Sequence, residues 1–203
     1  MKFLYALLAT RPTALNWLHA IHLAQPCTQT HLEELACLSR HARGRRTALE
    51  IGTFQGVSAV TIAATLHENG VLYCVDPWPP HRGRETPYLA ICKRHLKRAG
   101  VWSKLRLLQG TSETMREQIP GKVDFAFIDG DHSYDGLARD WQVVFPRLAD
   151  DAVVAFHDTS IPEGEPTRDH ECRRYFEQVI KCDPRIEHIE CVRSTNIVRC
   201  RRQ

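Results

Sequence analysis

Glu50-Ile51-Gly52-Thr53-Phe54-Gln55-Gly56-Val57-Ser58 is the stretch on which the reading of this chain turns. An apolar run over 47–51 feeds into it, and a helical pattern opens on its far side near residue 56. Glycines at a strand-to-helix turn let a ligand approach the backbone closely, at the carboxyl end of the sheet where open α/β folds bind their ligands. The spacing is G-x-x-x-G, not the G-x-G-x-x-G that cradles a pyrophosphate, which disfavours a dinucleotide. A helix N-terminus with the Ser58 hydroxyl nearby suits a single carboxylate, such as that of an amino acid. By itself the glycine pair is equally compatible with a plain tight turn.

Downstream, apolar segments at about 71–75, 104–109, 123–128 and 152–156 predict strands, and helical patterns fall near 56–67, 86–99, 111–118 and 134–147. Such alternation argues for a parallel sheet covered on both faces. A helix is expected at 167–181, ending before Pro184. The segments 186–192 and 196–200 follow, and a link of three residues is too short for a crossover, so they form an antiparallel hairpin. Upstream, Thr30 with Glu33 three residues on reads as a capping box for a helix running to about Ala42. Lys2 and the apolar run after it resemble a short signal peptide. Arg11 and Pro12 interrupt that run, and Leu15, Leu18 and Ile21 continue it at helical spacing, so an amphipathic packing helix is the reading. Residues 1–44 are thus N-terminal helices that pack on or cap a ligand-binding domain over 45–203, with acceptor coverage or homodimer formation as their roles.

Composition narrows the classes. The 203 residues are 43% hydrophobic and 25% charged, which is enough to close one core. A net charge of +3 without a basic stripe gives no expectation of nucleic acid. No apolar run is long enough for a bilayer, so no membrane partner is expected. Eight cysteines with no C-x-x-C among them argue against a zinc or disulfide framework and for a reducing, cytoplasmic setting.

The second predicted strand ends in Asp76, where an acidic side chain can accept hydrogen bonds from ribose hydroxyls. With both features in register, 50–60 resembles the first motif of class I S-adenosylmethionine-dependent methyltransferases, and is especially similar to small-molecule O-methyltransferases of the catechol and macrolide-sugar types. The resemblance covers roughly 45–160. It implies an α/β, Rossmann-like doubly wound fold, with a mostly parallel seven-stranded sheet and an antiparallel last strand. It also implies that Glu50, Gly52 and Ser58, with Thr53 and Gly56 in the same turn, line the methionine end of S-adenosylmethionine, that Asp76 holds the ribose, and that Gly110, Thr111 and Ser112 form the adenine-contacting turn. Ser112 is also placed to cap the helix expected after it.

The fourth strand emits Asp129-Gly130-Asp131-His132 and the fifth emits His157-Asp158. Neighbouring parallel strands bring these ends to the edge that carries the glycine turn, so Asp129 also belongs to the cofactor wall. Oxygen ligands from Asp129 and Asp158 suit Mg2+ or another divalent cation, which would orient an acceptor hydroxyl and lower its pKa. His132 can take the hydroxyl proton, with Asp131 the alternative base. The macrolide-sugar enzymes use such an Asp-x-x-His arrangement, but carry paired carboxylates where this chain has His157 first. That imidazole, as a third metal ligand, tilts the site towards manganese, iron or zinc, or leaves it without a metal. The Pro-rich loop 77–87, with Trp78, His81 and Arg82, and the segment 161–170 are candidate walls of the acceptor pocket. The expected reaction is methyl transfer to a hydroxyl of a small-molecule acceptor. A metal-independent N- or carboxyl-methyltransferase and a non-catalytic cofactor-binding protein are the alternatives.

Overall fold

The computed structural model describes residues 12–81, 83–162, 164 and 170–201. After α1 (Pro12–Ala20) and α2 (Leu32–Ala42), strands and helices alternate: β1 (Thr47–Ile51), α3 (Val57–Thr65), β2 (Val71–Asp76), α4 (Pro87–Arg98), β3 (Leu105–Gln109), β4 (Val123–Ile128), α5 (Tyr134–Val144) and β5 (Leu148–Phe156). Then come α6 (Glu171–Tyr175), β6 (Ile186–Val192) and β7 (Thr195–Cys200). The seven strands order as β3-β2-β1-β4-β5-β7-β6, the first five parallel and β7 antiparallel to both β5 and β6. This is the Rossmann-like, mostly parallel sheet with an antiparallel last strand that was expected.

Both faces of the sheet are buried, which is why β4 reads as a continuous apolar run, Phe125-Ala126-Phe127-Ile128. One face packs Leu49, Ile51, Ala126 and Ile128 against α5 and α6, and the other packs Ala48, Leu72, Phe125 and Phe127 against α2, α3 and α4. The α1 helix lies on α4, where Leu15 meets Ile91. The chain leaves β1 on one side and returns on the other through β4, so the switch point of the sheet lies between them, with Ile51 paired to Ile128. No helix among the described residues is long and apolar enough to cross a membrane.

Several local expectations shift. The cap of α2 is His31, whose N–H donates to Glu34 Oε2 at 2.8 Å, one residue beyond the predicted Thr30–Glu33 box. Burial decides the register: Glu34 is fully buried, whereas the Glu33 side chain is 69% exposed. The helix expected at 111–118 is a turn followed by one 3-10 turn, Arg116–Gln118, cut short by Pro120. The helix expected at 134–147 tightens to 3-10 geometry at Phe145–Arg147, because Pro146 has no N–H to continue it. Beyond α6 the helix opens into a π turn, Phe176–Ile180. The predicted helix start at 167–169, the run 1–11 and Arg82 lie outside the described residues.

Candidate active site

At the switch point Gly52 has φ +90°, and a Cβ built there would lie 1.9 Å from the Asp129 carbonyl oxygen. Gly56, at φ +82°, caps α3. Between them Phe54 also takes a left-handed φ of +49°. That backbone aims its N–H at Asp76 Oδ2, 2.8 Å away, while the Trp78 N–H donates to Asp76 Oδ1 at 2.8 Å. The Asp76 carboxylate is thereby fixed at the end of β2, and its burial raises its pKa. Trp78 is almost wholly buried, and its indole N–H donates to the Phe54 carbonyl at 2.8 Å. It braces the glycine turn from behind instead of bordering an acceptor, which corrects the expectation for that residue.

Glu50 is fully buried, and the Ser58 and Thr53 hydroxyls face its carboxylate without completing hydrogen bonds of good geometry. Burial pushes the Glu50 pKa up to about 7 from 4.5, with the Ser58 and Thr53 hydroxyls opposing. A raised folded-state value means that the folded protein binds the extra proton between roughly pH 4.5 and 7, so stability falls as pH rises through that window. Glu50→Gln removes this linkage. Denaturant titrations from pH 4 to 8 are expected to show the variant gaining on the parent by up to about 3 kcal/mol. A difference that does not change with pH would overturn the assignment of the buried charge.

After β3, the Ser112 hydroxyl donates to Asp140 Oδ1 at 2.6 Å and caps no helix; Thr111 Oγ1 instead accepts the Thr114 N–H at 3.2 Å. Asp140 is buried on α5, and burial lifts its pKa to about 6. The predicted residues Gly52, Thr53, Ser58, Asp76, Gly110, Thr111, Ser112 and Asp129 line one cleft of about 490 Å³, and Asp140, which the sequence did not single out, lines it too. Glu50 and Gly56 stand behind its wall.

The same cleft carries the ionisable cluster. His132 Nε2 lies 3.2 Å from Asp129 Oδ1 and 3.1 Å from Asp158 Oδ2, and these two carboxylates lift His132 to about 9. His157 Nδ1 faces the same oxygens at 3.1 and 3.4 Å, and its Nε2 lies 3.5 Å from Glu34 Oε2. Burial alone would lower the His157 pKa, but Asp129, Asp158 and Glu34 reverse this and push it up to about 12. Burial works against Asp158 too, yet His132 and His157 hold its carboxyl well below the usual range. Donor atoms of Asp129, His132, His157 and Asp158 all lie within 4.8 Å of one another, as a metal site requires. Asp131 lines the same cleft but stands apart from this cluster: it accepts the Ser133 N–H at 3.0 Å and lies 3.2 Å from Arg139. Ser133 caps α5, its hydroxyl accepting the Gly136 N–H.

Sequence reasoning missed Glu34. Its Oε1 accepts from the Ser194 N–H (3.1 Å), the Ser194 hydroxyl (2.7 Å) and the Thr195 hydroxyl (2.9 Å), tying α2 to the β6–β7 turn beside His157. His170 was also missed as a member of the cluster; its Nε2 reaches to 3.5 Å from Asp158 Oδ2.

A sheet of this strand order with a glycine turn at its switch point defines the Rossmann-like methyltransferase class of folds. The family described as methyltransferase domain matches residues 49–159, and the chain belongs to that family. It is 28% identical over 187 residues to tricin synthase 2 of Oryza sativa subsp. japonica, covering 83% of this chain and 61% of that protein. It is 30% identical over 197 residues to catechol O-methyltransferase domain-containing protein 1 of Mus musculus, covering 90% of this chain and 64% of that one. The chain therefore spans less than two thirds of the length of either relative. Among solved structures, the O-methyltransferase of Bacillus cereus in complex with SAH superposes with a TM-score of 0.68 at 20% identity, over 95% of this chain and 90% of that one. The O-methyltransferase TomG of Streptomyces achromogenes, in complex with SAM, gives 0.66 at 17% identity over 93% and 88%.

Proposed function

We propose that this protein transfers the methyl group of S-adenosylmethionine to a hydroxyl of a small molecule. The observation that carries the reading is convergence: Asp129, His132, His157 and Asp158 stand on the wall of the cleft that holds the glycine turn and Asp76. The cleft suits the cofactor. Asp76 presents a fixed carboxylate for two ribose hydroxyls, the Gly110–Ser112 turn lies beyond it for the adenine, and the Thr53 hydroxyl and the buried charge of Glu50, both lacking a well-formed hydrogen bond, favour a cationic amino group at the methionine end. Bound there, the cofactor supplies an electrophilic methyl group on a sulfonium.

The protein's own contribution is positioning and proton handling. An acceptor hydroxyl held in line with the methyl group gains most from orientation. His132, on the cleft-facing side of the two aspartates, takes its proton. Two carboxylates and one imidazole, Asp129, Asp158 and His157, form a donor set that suits manganese, iron or zinc better than magnesium, and a cation held there would favour the ionised hydroxyl. Glu34, behind His157, would fix that ring as a carboxylate behind a metal-bound histidine does.

Calorimetric titration with S-adenosylmethionine and its demethylated product tests the reading. Asp76→Ala is expected to weaken both by about 10- to 100-fold, the size of lost charge-assisted hydrogen bonds. No binding of either ligand to the parent protein would sink methyl transfer. One observation favours a second, metal-independent reading: His157 Nδ1 stands 3.1 and 3.4 Å from the two carboxylate oxygens, close enough for its imidazolium to neutralise them itself. Turnover indifferent to chelators would decide for it.

A further inference from the structure

Away from the cofactor cleft, Cys37 and His41 stand four residues apart on α2 and so share one face of that helix, and Glu190 on β6 reaches the same point. Donor atoms of the three lie within 4.8 Å of one another, and His41 Nε2 is 2.6 Å from Glu190 Oε1. Cys37 is buried, while the side chains of His41 and Glu190 are 15% and 32% exposed, so protein walls the point on one side and solvent reaches it on the other. We infer that Cys37, His41 and Glu190 form a zinc site that staples α2 to β6, with water at the fourth position. The inference is independent of the methyl-transfer reading.

The donor set is the first support. A thiolate, an imidazole and a carboxylate together are ligands that zinc takes and that magnesium or calcium does not. Three protein ligands leave a tetrahedral ion one position for water, here on the solvent side. The side chains need to move by only about an ångström from their present spacing to surround an ion. The Cys37 thiol gives its proton to solvent on binding, as a zinc-bound cysteine must. Positive charge already collects at this point: Arg40 Nη2 lies 2.7 and 2.8 Å from the two Glu190 oxygens and donates to Cys37 Sγ at 3.6 Å. One guanidinium nitrogen thus touches two of the three ligands. The Arg40 side chain is 56% exposed, so it can swing into solvent when an ion takes its place.

The path of β6 is the second, independent support. Paired residues on neighbouring strands point to the same face of a sheet. His188 pairs with Val198, which packs on the α5 side, so strict alternation along β6 would send Glu190 to that side too. The register shifts between His188 and Glu190, and Glu190 pairs instead with Ile197, which packs on the α2 side. One extra residue in an edge strand thus turns a carboxylate onto the helix that carries Cys37 and His41. Bulges of this kind re-aim a side chain at the cost of ladder pairing. The ion would hold the edge strand β6 against α2, the helix from which Glu34 reaches the Ser194 and Thr195 hydroxyls.

Cobalt(II) is the probe, because a thiolate bound to it gives a charge-transfer band in the near ultraviolet that oxygen and nitrogen ligands do not give. The full chain, stripped by a chelator and kept reduced, is titrated with cobalt and then with zinc. The band is expected to grow as cobalt is added and to vanish as zinc displaces it, with a zinc Kd at or below about 1 μM. Cys37→Ser is expected to remove the band, and His41→Gln to weaken zinc binding here by more than about tenfold. Two controls are expected to keep the band: Asp158→Asn in the active-site cluster, and Cys172→Ala, whose thiol donates to the Asp158 carbonyl at 3.2 Å. Arg40→Gln is expected to tighten zinc binding about two- to fivefold, since the exposed ion pair it removes competes with the metal. Arg40 and His41 lie at the surface, so their variants report on the site even where Cys37→Ser fails to fold. No band, a band that survives Cys37→Ser or disappears with Cys172→Ala, or weaker zinc binding by Arg40→Gln would overturn the inference.

Discussion

Gly52→Ala is expected to cost about 4 kcal/mol of stability, lowering the melting temperature by roughly 8–16 °C. Two penalties add. The residue sits at φ +90°, where an L side chain is strained, and the new Cβ would fall 1.9 Å from the Asp129 carbonyl oxygen and 2.5 Å from its carbon. Both of those atoms are backbone, so no rotamer change can make room. The ends of β1 and β4 must separate instead, straining the bonds from the Asp129 N–H to the Ile51 carbonyl (2.9 Å) and from the Gly52 N–H to the Val75 carbonyl (2.8 Å). Gly44→Ala is the internal control. Its φ of +74° is similar, but nothing lies within 4 Å of its added Cβ, so it carries the conformational penalty alone. Urea titrations of the two variants therefore separate strain from collision. A Gly52→Ala loss no larger than that of Gly44→Ala would refute the close approach of β1 to β4. The same separation would move Asp129 from its partners, so cofactor binding is expected to fall with stability.

That collision explains why the glycine turn was legible before the fold was known. Its constraint is local: a strand, a turn and a helix within a dozen residues leave few other uses for two glycines at this spacing. Asp76 was legible for the same reason, since a strand-end carboxylate followed by proline lies at a fixed distance along the chain from the turn. The meeting of Asp129, His132, His157 and Asp158 followed from alternation, because adjacent parallel strands must end at one edge. What sequence could not fix was long-range and set by burial. Glu33 and Glu34 are equal candidates for a capping box; only the β6–β7 turn, 160 residues on, selects Glu34 by burying it. Asp140 reads as an ordinary polar residue within a helix until Ser112 is seen to turn towards it. A carboxylate on the buried face of an amphipathic helix was the available signal. Trp78 looked like a loop aromatic at a pocket rim because nothing local reveals that its indole N–H is needed to hold the Phe54 carbonyl.

His132→Gln is expected to lower kcat for methyl transfer by about 10²- to 10⁴-fold, the range lost with a general base, while leaving the cofactor Kd unchanged. The two candidate bases are separated by their surroundings. Asp131 accepts the Ser133 N–H and lies beside Arg139, both of which favour its ionised form and make it a poorer proton acceptor. Asp129 and Asp158 do the reverse for His132, raising its pKa to about 9, so the ring accepts a proton only in its neutral fraction and turnover is expected to rise with pH towards 9. His132 is also 37% exposed to the cleft, so truncating its polarity disturbs no core contact and the variant should fold. Asp131→Asn, in contrast, should leave kcat within an order of magnitude, since its contribution is to the turn before α5. The reverse ranking of the two variants would transfer the proton to Asp131. Measuring divalent-cation affinity alongside kcat removes the remaining ambiguity, because His132 contributes a donor atom to the same cluster. A proton acceptor loses turnover with cation affinity little changed. A His132→Gln variant whose cation affinity falls as steeply as its kcat would mean that the ring's task is to hold the ion, and that the hydroxyl loses its proton to another group.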